Sequence, residues 1–208
     1  MTTPINVLEY RKRILAKVFS HLPISGREFT VDVGCGDGGD CVLLSQSVQE
    51  VIGLDVECNS KWRQEGNDKI EFCVADAGNL QFVDETFDLV FEKDMLHHVN
   101  DPLTAIRELL RVTKIGGRLV CIEGNRYNPI LYLHMTLMLG HQHFKKSTFE
   151  KLVKKGSADV FLLSVESRVY PTKNKHLLNF AGHIGDLLEK LPFVNHFLCY
   201  NIAIIKKE

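Results

Sequence analysis

The stretch Val31-Asp32-Val33-Gly34-Cys35-Gly36-Asp37-Gly38-Gly39 decides the fold of this chain. A short apolar strand runs into a glycine-rich turn, and an aspartate stands two residues before the first glycine. Glycines let the backbone approach a ligand closely and adopt φ values that other residues avoid. The helix expected next points its free N–H groups toward whatever lies on the turn. The stretch predicts a cofactor-binding strand–turn–helix, and its G-x-G-x-x-G spacing leaves the kind of cofactor open.

Apolar segments separated by helical segments extend along the chain beyond this turn. Strands are expected at 29–33, 51–54, 70–75, 87–91, 118–122, 160–169 and 196–205. The first five are nearly all apolar, which is typical of parallel strands covered on both faces. Short right-handed crossovers then make the sheet doubly wound. We therefore expect an α/β fold.

Apolar residues at spacings of three and four predict the helices. They are expected at 7–21, 40–47, 102–112, 148–155 and 177–191. Asp101 and Pro102 are an N-cap and a first helical residue, and Gly116-Gly117 stop that helix. Ser147 is expected to cap the next helix. Residues 125–146, rich in aromatic residues, methionine and histidine, form an inserted segment.

The bulk composition is typical of one globular domain. The chain has 208 residues, 45% hydrophobic and 25% charged, which is enough for a substantial core. A formal net charge of -1 gives no general attraction to nucleic acid or anionic membranes. The six cysteines include no Cys-x-x-Cys pair, and no leader or membrane-length apolar run is visible. We expect a single cytoplasmic domain over residues 1–208.

Acidic residues stand where the expected strands end. Asp55, Asp76 and Glu92 each follow or close a strand, as the glycine turn does. Ligands of doubly wound folds bind beyond the carboxyl ends of the strands, where the winding reverses. The sequence thus predicts one cofactor site at this edge of the sheet.

Several motifs over about residues 29–124 resemble those of the class I S-adenosylmethionine-dependent methyltransferases that act on small molecules. They are Asp32-x-Gly34-x-Gly36-x-Gly38, Asp55, Asp76-Ala77, the stretch 88–98 and Gly116-Gly117-Arg118-Leu119. The resemblance implies a doubly wound, mostly parallel seven-stranded sheet in the order 3-2-1-4-5-7-6, with the last strand antiparallel and helices on both faces. It also implies S-adenosyl-L-methionine as cofactor and S-adenosyl-L-homocysteine as product.

The same resemblance assigns the cofactor contacts. The glycine turn would carry the methionine and ribose portions, Asp55 would accept hydrogen bonds from the ribose hydroxyls, and Asp76 would hold the adenine amine. Asp76 has a second interpretation, as a cap of the turn that follows it. Glu92 is unusual for the family, and it either holds the methionine ammonium group or points away. The full expected set is Asp32, Gly34, Cys35, Gly36, Gly38, Asp55, Val56, Asp76, Ala77 and Glu92.

Methyl transfer from a sulfonium is an in-line displacement that depends mainly on alignment and exclusion of water. His97 and His98 are the candidate catalytic bases, because histidine titrates near neutral pH. Adjacent residues of a helix point about 100° apart, so at most one of them would face the methyl group. Tyr10 and Arg11 are candidates for a lid. No metal site is expected, because His141-x-His143 has no further ligand at a matching spacing.

The motifs of nucleic-acid amino-methyltransferases are absent, since Glu92-Lys93-Asp94-Met95 stands where their Asn/Asp-Pro-Pro-Tyr/Phe would be. We therefore expect a small or medium-sized acceptor and no nucleic acid. The apolar residues of 125–146 and 177–191 suit a hydrophobic acceptor such as a lipid or quinone, or else packing on the sheet or between two copies. Lysines within 145–155 form a basic face that is either simply solvated or suited to a phosphorylated or lipid-linked acceptor. Monomer and homodimer both remain open.

Two other functions compete with this one. The chain could bind the cofactor without catalysis and activate or scaffold a second protein. It could also be a nicotinamide-dependent oxidoreductase, but that class predicts a small apolar residue in place of Asp32 and has no need for Asp76. Loss of S-adenosylmethionine binding on Asp55→Ala would argue against the oxidoreductase.

Overall fold

A computed structural model of the chain describes residues 4–138, 140, 142–157 and 159–208. Its single sheet has seven strands in the order β3-β2-β1-β4-β5-β7-β6, as expected. Strand β7 runs antiparallel to both of its neighbours, and the remaining strands are parallel to one another. The strands are β1 (Phe29–Val33), β2 (Glu50–Asp55), β3 (Ile70–Val74), β4 (Phe87–Lys93), β5 (Thr113–Gly124), β6 (Val160–Val165) and β7 (Tyr200–Lys206).

Helices cover both faces of the sheet. They are α1 (Ile5–His21), α2 (Gly39–Leu44), α3 (Trp62–Glu65), α4 (Pro102–Val112), α5 (Pro129–Leu131), α6 (Lys146–Gly156) and α7 (Lys175–Glu189). A π-helical turn at Tyr132–Met138 continues α5, and a short 3-10 turn at Asn195–Phe197 precedes β7. Within the described residues, no helix is long and apolar enough to cross a membrane.

Two apolar layers hold the sheet between the helices. On one face, Ile14 and Val18 of α1 belong to the same buried cluster as Phe91 of β4. On the other face, Val90 of β4 is buried with Ile106 of α4 and with residues of α6. Alternate residues of β4 thus point into opposite layers, which explains why the strand is apolar throughout. Burying one such side chain contributes about 1.5–3 kcal/mol.

The second glycine pair has a different role from the one expected. Helix α4 ends at Val112, and Gly116-Gly117 lie inside β5 rather than at the end of the helix. Gly116 has a φ of 78°, and a Cβ on Gly117 would lie 2.9 Å from the carbonyl oxygen of Asp88. The glycines therefore accommodate an irregularity in β5, where its register against β4 shifts between Phe87 and Leu89.

Several further boundaries differ from the expectation. Strand β6 ends at Val165 rather than at residue 169, and β7 begins at Tyr200 rather than at residue 196, because a 3-10 turn occupies Asn195–Phe197. Ser147 lies inside α6, whose N-cap is Lys145 without a side-chain capping bond. Helix α7 begins two residues earlier than expected, because Asn174 accepts hydrogen bonds from the N–H groups of His176 and Leu177 at 2.9 and 3.3 Å.

Candidate active site

A cavity of about 630 Å³ opens at the carboxyl ends of the central parallel strands. Its wall includes five of the ten residues expected to bind the cofactor, and one of the two candidate bases, His98. The five are Gly34, Asp55, Val56, Asp76 and Ala77. They come from the ends of β1, β2 and β3, so the parallel arrangement gathers them at one edge. The remaining wall is formed by the segment after β4 and the start of α4.

At position 34 the structure has room only for glycine. Its φ is 80°, and a Cβ there would lie 2.5 Å from both Cβ and Cγ of Met95. The N–H groups of Gly34 and Cys35 donate to the carbonyl of Leu54 at 2.7 and 2.8 Å, which holds the turn against β2. Gly34 and Met95 both line the cavity, so the contact between them forms part of the cavity wall.

Asp55 and Asp76 present carboxylates at the cavity wall. Asp55 Oδ2 accepts a hydrogen bond from the Gly36 N–H at 2.8 Å, which ties the glycine turn to the end of β2. Asp76 Oδ1 accepts from the Gly78 N–H at 2.8 Å, so the turn-capping interpretation of this residue is observed. Asp55 Oδ1 also accepts from the Glu57 N–H at 3.3 Å, and both carboxylates keep further lone pairs for a ligand.

The other expected cofactor residues do not line the cavity. Cys35 is buried, and the Gly36 carbonyl accepts from the indole N–H of Trp62 at 2.9 Å. A Cβ on Gly38 would lie 2.6 Å from the ring of Phe72, so this glycine serves packing of the turn. Their contacts with a cofactor remain predictions.

Asp32 is likewise buried behind the turn rather than on the cavity wall. It accepts a hydrogen bond from the Cys41 thiol at 3.2 Å. Burial, reinforced by the nearby carboxylate of Asp40, raises the pKa of Asp32 to about 7. A role in ligand binding would therefore act through the turn that Asp32 supports.

Glu92 points away from the cavity. It is fully buried, and its Oε1 accepts from the Ile122 N–H at 3.2 Å. Burial and the neighbouring carboxylate of Glu123 raise its pKa well above the ordinary value. Glu92 does not line the first cavity, and its proposed contact with the methionine ammonium group stays a prediction.

Helix α1 is fastened onto the glycine turn by Arg11. Its guanidinium donates to Asp37 at 2.8 Å, and Lys61 donates to the same carboxylate at 3.0 Å. Burial alone would raise the pKa of Asp37, but these two hydrogen bonds prevail and lower it to about 2. Arg11 thus packs on the turn, as a lid residue would, whereas Tyr10 faces a different space.

That space is a second cavity of about 620 Å³, with a largely apolar wall. Tyr10 of α1 lies on it together with residues of the 125–146 segment and of the edge around β6 and β7. Asp94 and His98 belong to the walls of both cavities, so the two cavities meet at these side chains. The complete lining is Tyr10, Asp94, His97, His98, Gly124, Ile130, Leu131, His143, Arg168, Val169, Pro171, Cys199 and Tyr200.

Asp94 is the residue that sequence reasoning missed. It follows β4 directly and has a φ of 55°, a conformation that costs a non-glycine residue about 1–2 kcal/mol. Its carboxylate accepts from the Gly124 N–H and from the Tyr200 hydroxyl, both at 3.2 Å. The Tyr10 hydroxyl lies 2.5 Å from that of Tyr200. Its position after an apolar strand was the available signal, the same one that identified Asp55 and Asp76.

The two candidate bases differ in their surroundings. They lie in a turn, not a helix, with the His98 N–H donating to the Met95 carbonyl at 2.9 Å. His97 lines only the second cavity, and its Nδ1 is 2.7 Å from Oε2 of Glu123. Burial lowers the pKa of His97, although Asp94 opposes this. His98 lines both cavities and lies at their junction.

Comparison with known proteins agrees with this geometry. The profile of a family described as a methyltransferase domain matches residues 31–121. The chain is 30% identical over 173 residues to the demethylmenaquinone methyltransferase of Staphylococcus haemolyticus, covering 80% of this chain and 70% of that protein. For the demethylmenaquinone methyltransferase of Lactococcus lactis the identity is 32%, covering 79% of this chain but only 65% of that protein.

Solved structures share the fold. An S-adenosylmethionine-dependent methyltransferase from Thermotoga maritima superposes with a TM-score of 0.68 at 16% identity, covering 98% of this chain and 92% of that one. One from Mesorhizobium loti gives 0.67 at 18% identity, covering 94% and 98%. These findings leave no support for a nicotinamide-dependent oxidoreductase. The chain belongs to the class I S-adenosylmethionine-dependent methyltransferases, whose methyl donor is S-adenosylmethionine.

Proposed function

We propose that this protein transfers a methyl group from S-adenosylmethionine to a small, largely apolar acceptor held in the second cavity. The observation that carries the proposal is the meeting of two cavities of nearly equal volume at Asp94 and His98. Transfer requires that donor and acceptor approach along one line with water excluded. A shared wall between two separate spaces fits that requirement.

The first cavity fits the cofactor. A volume of about 630 Å³ lies within the range of sites that hold nucleotide-sized ligands. Asp55 and Asp76 supply ionisable acceptors for hydroxyl and amine donors, and such charge-assisted hydrogen bonds are short and strong. A Cβ at Gly34 would intrude on this wall, so the glycine keeps the space open. When bound, S-adenosylmethionine supplies a methyl group on a positively charged sulfur.

The second cavity fits an apolar acceptor. Leu131, Val169 and Pro171 contribute to a wall that is mostly hydrophobic, and Asp94, His97 and His98 add polar groups to it. Such a distribution orients a ring by its polar edge while its apolar part is buried. The relatives named demethylmenaquinone methyltransferases act, by those names, on a quinone. We infer a quinone- or phenol-like acceptor, entering beside the 125–146 segment.

His98 is the residue we assign to proton removal from a hydroxyl acceptor. Its ring lies on both cavity walls, so it can contact an acceptor oxygen at the point of transfer. Asp94 and Tyr200, joined by a hydrogen bond, both line the second cavity and offer polar groups that would orient the acceptor. A general base contributes only where the acceptor carries a proton of moderately high pKa. We also propose that the protein is cytoplasmic and that its acceptor is not a nucleic acid.

Calorimetric titration with S-adenosylmethionine, S-adenosylhomocysteine and NAD tests the cofactor half. We expect micromolar binding of the two sulfur compounds and none of NAD. Asp55→Ala should weaken binding about ten-fold or more, because losing one charged hydrogen bond costs about 1.5–3 kcal/mol. Asp68→Ala, an exposed acid before β3, is the matched control and should bind like the wild type. Equal affinities of the two variants would refute the assigned site.

The acceptor half needs a separate assay. Transfer of radiolabelled methyl groups to reduced naphthoquinones with short isoprenoid chains should be detectable. Catechol and a small primary amine serve as comparison acceptors. Activity confined to the amine would refute the quinone- or phenol-like acceptor. Cofactor binding without methyl transfer to any of these acceptors would instead favour the catalytically silent scaffold. No feature of the site described above supports that alternative.

A further inference from the structure

Four potential metal ligands from separate parts of the chain meet beside the junction of the cavities. Asp94 follows β4, His97 lies three residues later, Glu123 is in β5, and His143 precedes α6. Each offers one ligand atom, and these four atoms all lie within 4.8 Å of one another. Among the described residues, two imidazoles and two carboxylates thus converge on one point.

The interior position of the cluster is unusual for its charge. Glu123 is fully buried, and its Oε1 has no hydrogen-bond partner within the described part of the chain. Leaving a buried carboxylate oxygen unpaired is costly, and buried charges are normally paired or bind a metal. The other oxygen, Oε2, is 2.7 Å from His97 Nδ1. Among the described residues, Oε1 of Glu123 is therefore a buried acceptor atom without a hydrogen-bond donor.

The backbone makes room for the second imidazole. A Cβ on Gly124 would lie 2.8 Å from Nδ1 of His143, so only glycine allows this ring to come so close to β5. The rings of His143 and His97 have their centroids 4.4 Å apart. Gly124 also donates its N–H to Asp94 at 3.2 Å, which fixes the third member. One glycine thus positions two of the four side chains.

We propose that Asp94, His97, Glu123 and His143 form a binding site for a divalent transition-metal ion such as Zn²⁺. Mixed nitrogen and carboxylate ligands suit zinc and its neighbours, whereas magnesium and calcium prefer oxygen ligands alone. Ligand atoms of a tetrahedral zinc site stand about 3.3 Å apart, given bonds of about 2.0 Å. The four ligand atoms lie within 4.8 Å of one another, so side-chain rotations have to close at most about 1.5 Å to reach that spacing.

Asp94, His97 and His143 also line the second cavity, so an ion held here would be open to that space. If the proposed function holds, it would bind an acceptor oxygen in its deprotonated form, the proton having passed to His98. That role rests on the proposed function, whereas binding of the ion does not. The sequence predicted no metal site because spacing offered His143 no partner; His141 lies outside the described residues. The fold supplies the partners from distant strands.

The test is a titration of chelator-treated, dialysed full-length protein with Zn²⁺ alone, using a competing chromophoric chelator. Co²⁺ absorption in the visible range reports the ligand geometry, and Mg²⁺ serves as the comparison ion. We expect one Zn²⁺ per chain, with affinity lowered at least about ten-fold in His143→Gln and in Glu123→Gln. His176→Gln, exposed at the start of α7, is the matched control and should bind Zn²⁺ as the wild type does.

Circular dichroism and S-adenosylmethionine titration on each variant establish that the fold and the cofactor site are intact. If Glu123→Gln fails to fold, His143→Gln alone decides the matter. Absence of saturable one-to-one Zn²⁺ binding, or equal affinity in the control and His143→Gln, overturns the site. Because the titration contains neither cofactor nor acceptor, its failure leaves the proposed methyl transfer standing, and failure of methyl transfer leaves the metal result standing.

Discussion

Replacing Gly34 by alanine should destabilise the folded protein for two reasons. The first is backbone strain, because a side chain at a φ of 80° costs about 1–2 kcal/mol. The second is a collision, since the new Cβ would lie 2.5 Å from Met95 Cβ and Cγ. Overpacking of this kind costs about 1–3 kcal/mol. The free energy of unfolding should therefore fall by about 2–5 kcal/mol.

Gly116→Ala is the matched control. Its φ is 78°, almost the same as that of Gly34, but nothing lies within 4 Å of an added Cβ. This variant should show the strain alone, about 1–2 kcal/mol. Urea unfolding gives both free energies, and thermal unfolding should show about 2–4 °C for each kcal/mol at this chain length.

Cofactor affinity distinguishes the same two variants. Gly34 and Met95 both line the first cavity, so displacing Met95 changes its wall, whereas Gly116 lies outside that wall. Gly34→Ala should lose at least ten-fold in S-adenosylmethionine affinity and Gly116→Ala should lose none. Equal destabilisation of the two variants, or unchanged affinity in Gly34→Ala, would refute the close approach of turn and methionine.

Three further outcomes are expected. The pKa of Asp32 is raised to about 7 in the folded protein, whereas in the unfolded chain this carboxyl group loses its proton near pH 4. The free energy of unfolding should therefore fall by up to about 4 kcal/mol as the pH rises from 4 to 7. Urea unfolding across that range should show a smaller slope in Asp32→Asn, reduced by the share that Asp32 contributes; identical slopes would contradict the assignment. Asp37, with its pKa lowered to about 2, stabilises above pH 4 and loses this as pH falls through 2. Asp37→Asn should therefore cost about 1 kcal/mol at pH 7, after allowance for solvent screening, and remove its share of the acid-dependent loss. Tyr10→Phe removes the hydroxyl beside Tyr200 and should lower stability by about 1 kcal/mol. Tyr10 borders only the second cavity, so calorimetry should find S-adenosylmethionine affinity unchanged in that variant.

The features that sequence reasoning located are those encoded by neighbouring residues. Asp55 and Asp76 could be assigned to the site because each directly follows an apolar strand, and parallel strands end at a common edge. The sheet order followed from the family resemblance and is confirmed. Ser147 was misassigned because a capping residue type is a local preference that α6 does not use.

The meeting of Asp94, Glu123 and His143 depends instead on how strands pair. Lys93 lies opposite Ile122 in the β4–β5 register, which brings the next residue of each strand, Asp94 and Glu123, to the same level. Nothing in the local pattern fixes that register. His143 then approaches because Gly124 leaves space, an effect of tertiary packing that spacing along the chain does not reveal.

The placement of β7 has a consequence for the order in which the two cavities can be completed. The first is enclosed by residues between Val33 and Ala105, whereas the second takes Cys199 and Tyr200 as part of its wall. During synthesis β5 and β6 have no partner at that edge until β7 emerges and inserts between them. Pairing that waits for distant residues is slow and leaves strand edges open in the meantime. On a ribosome, the donor half of the site would therefore mature before the acceptor half, so a nascent chain could bind cofactor before it can accept substrate.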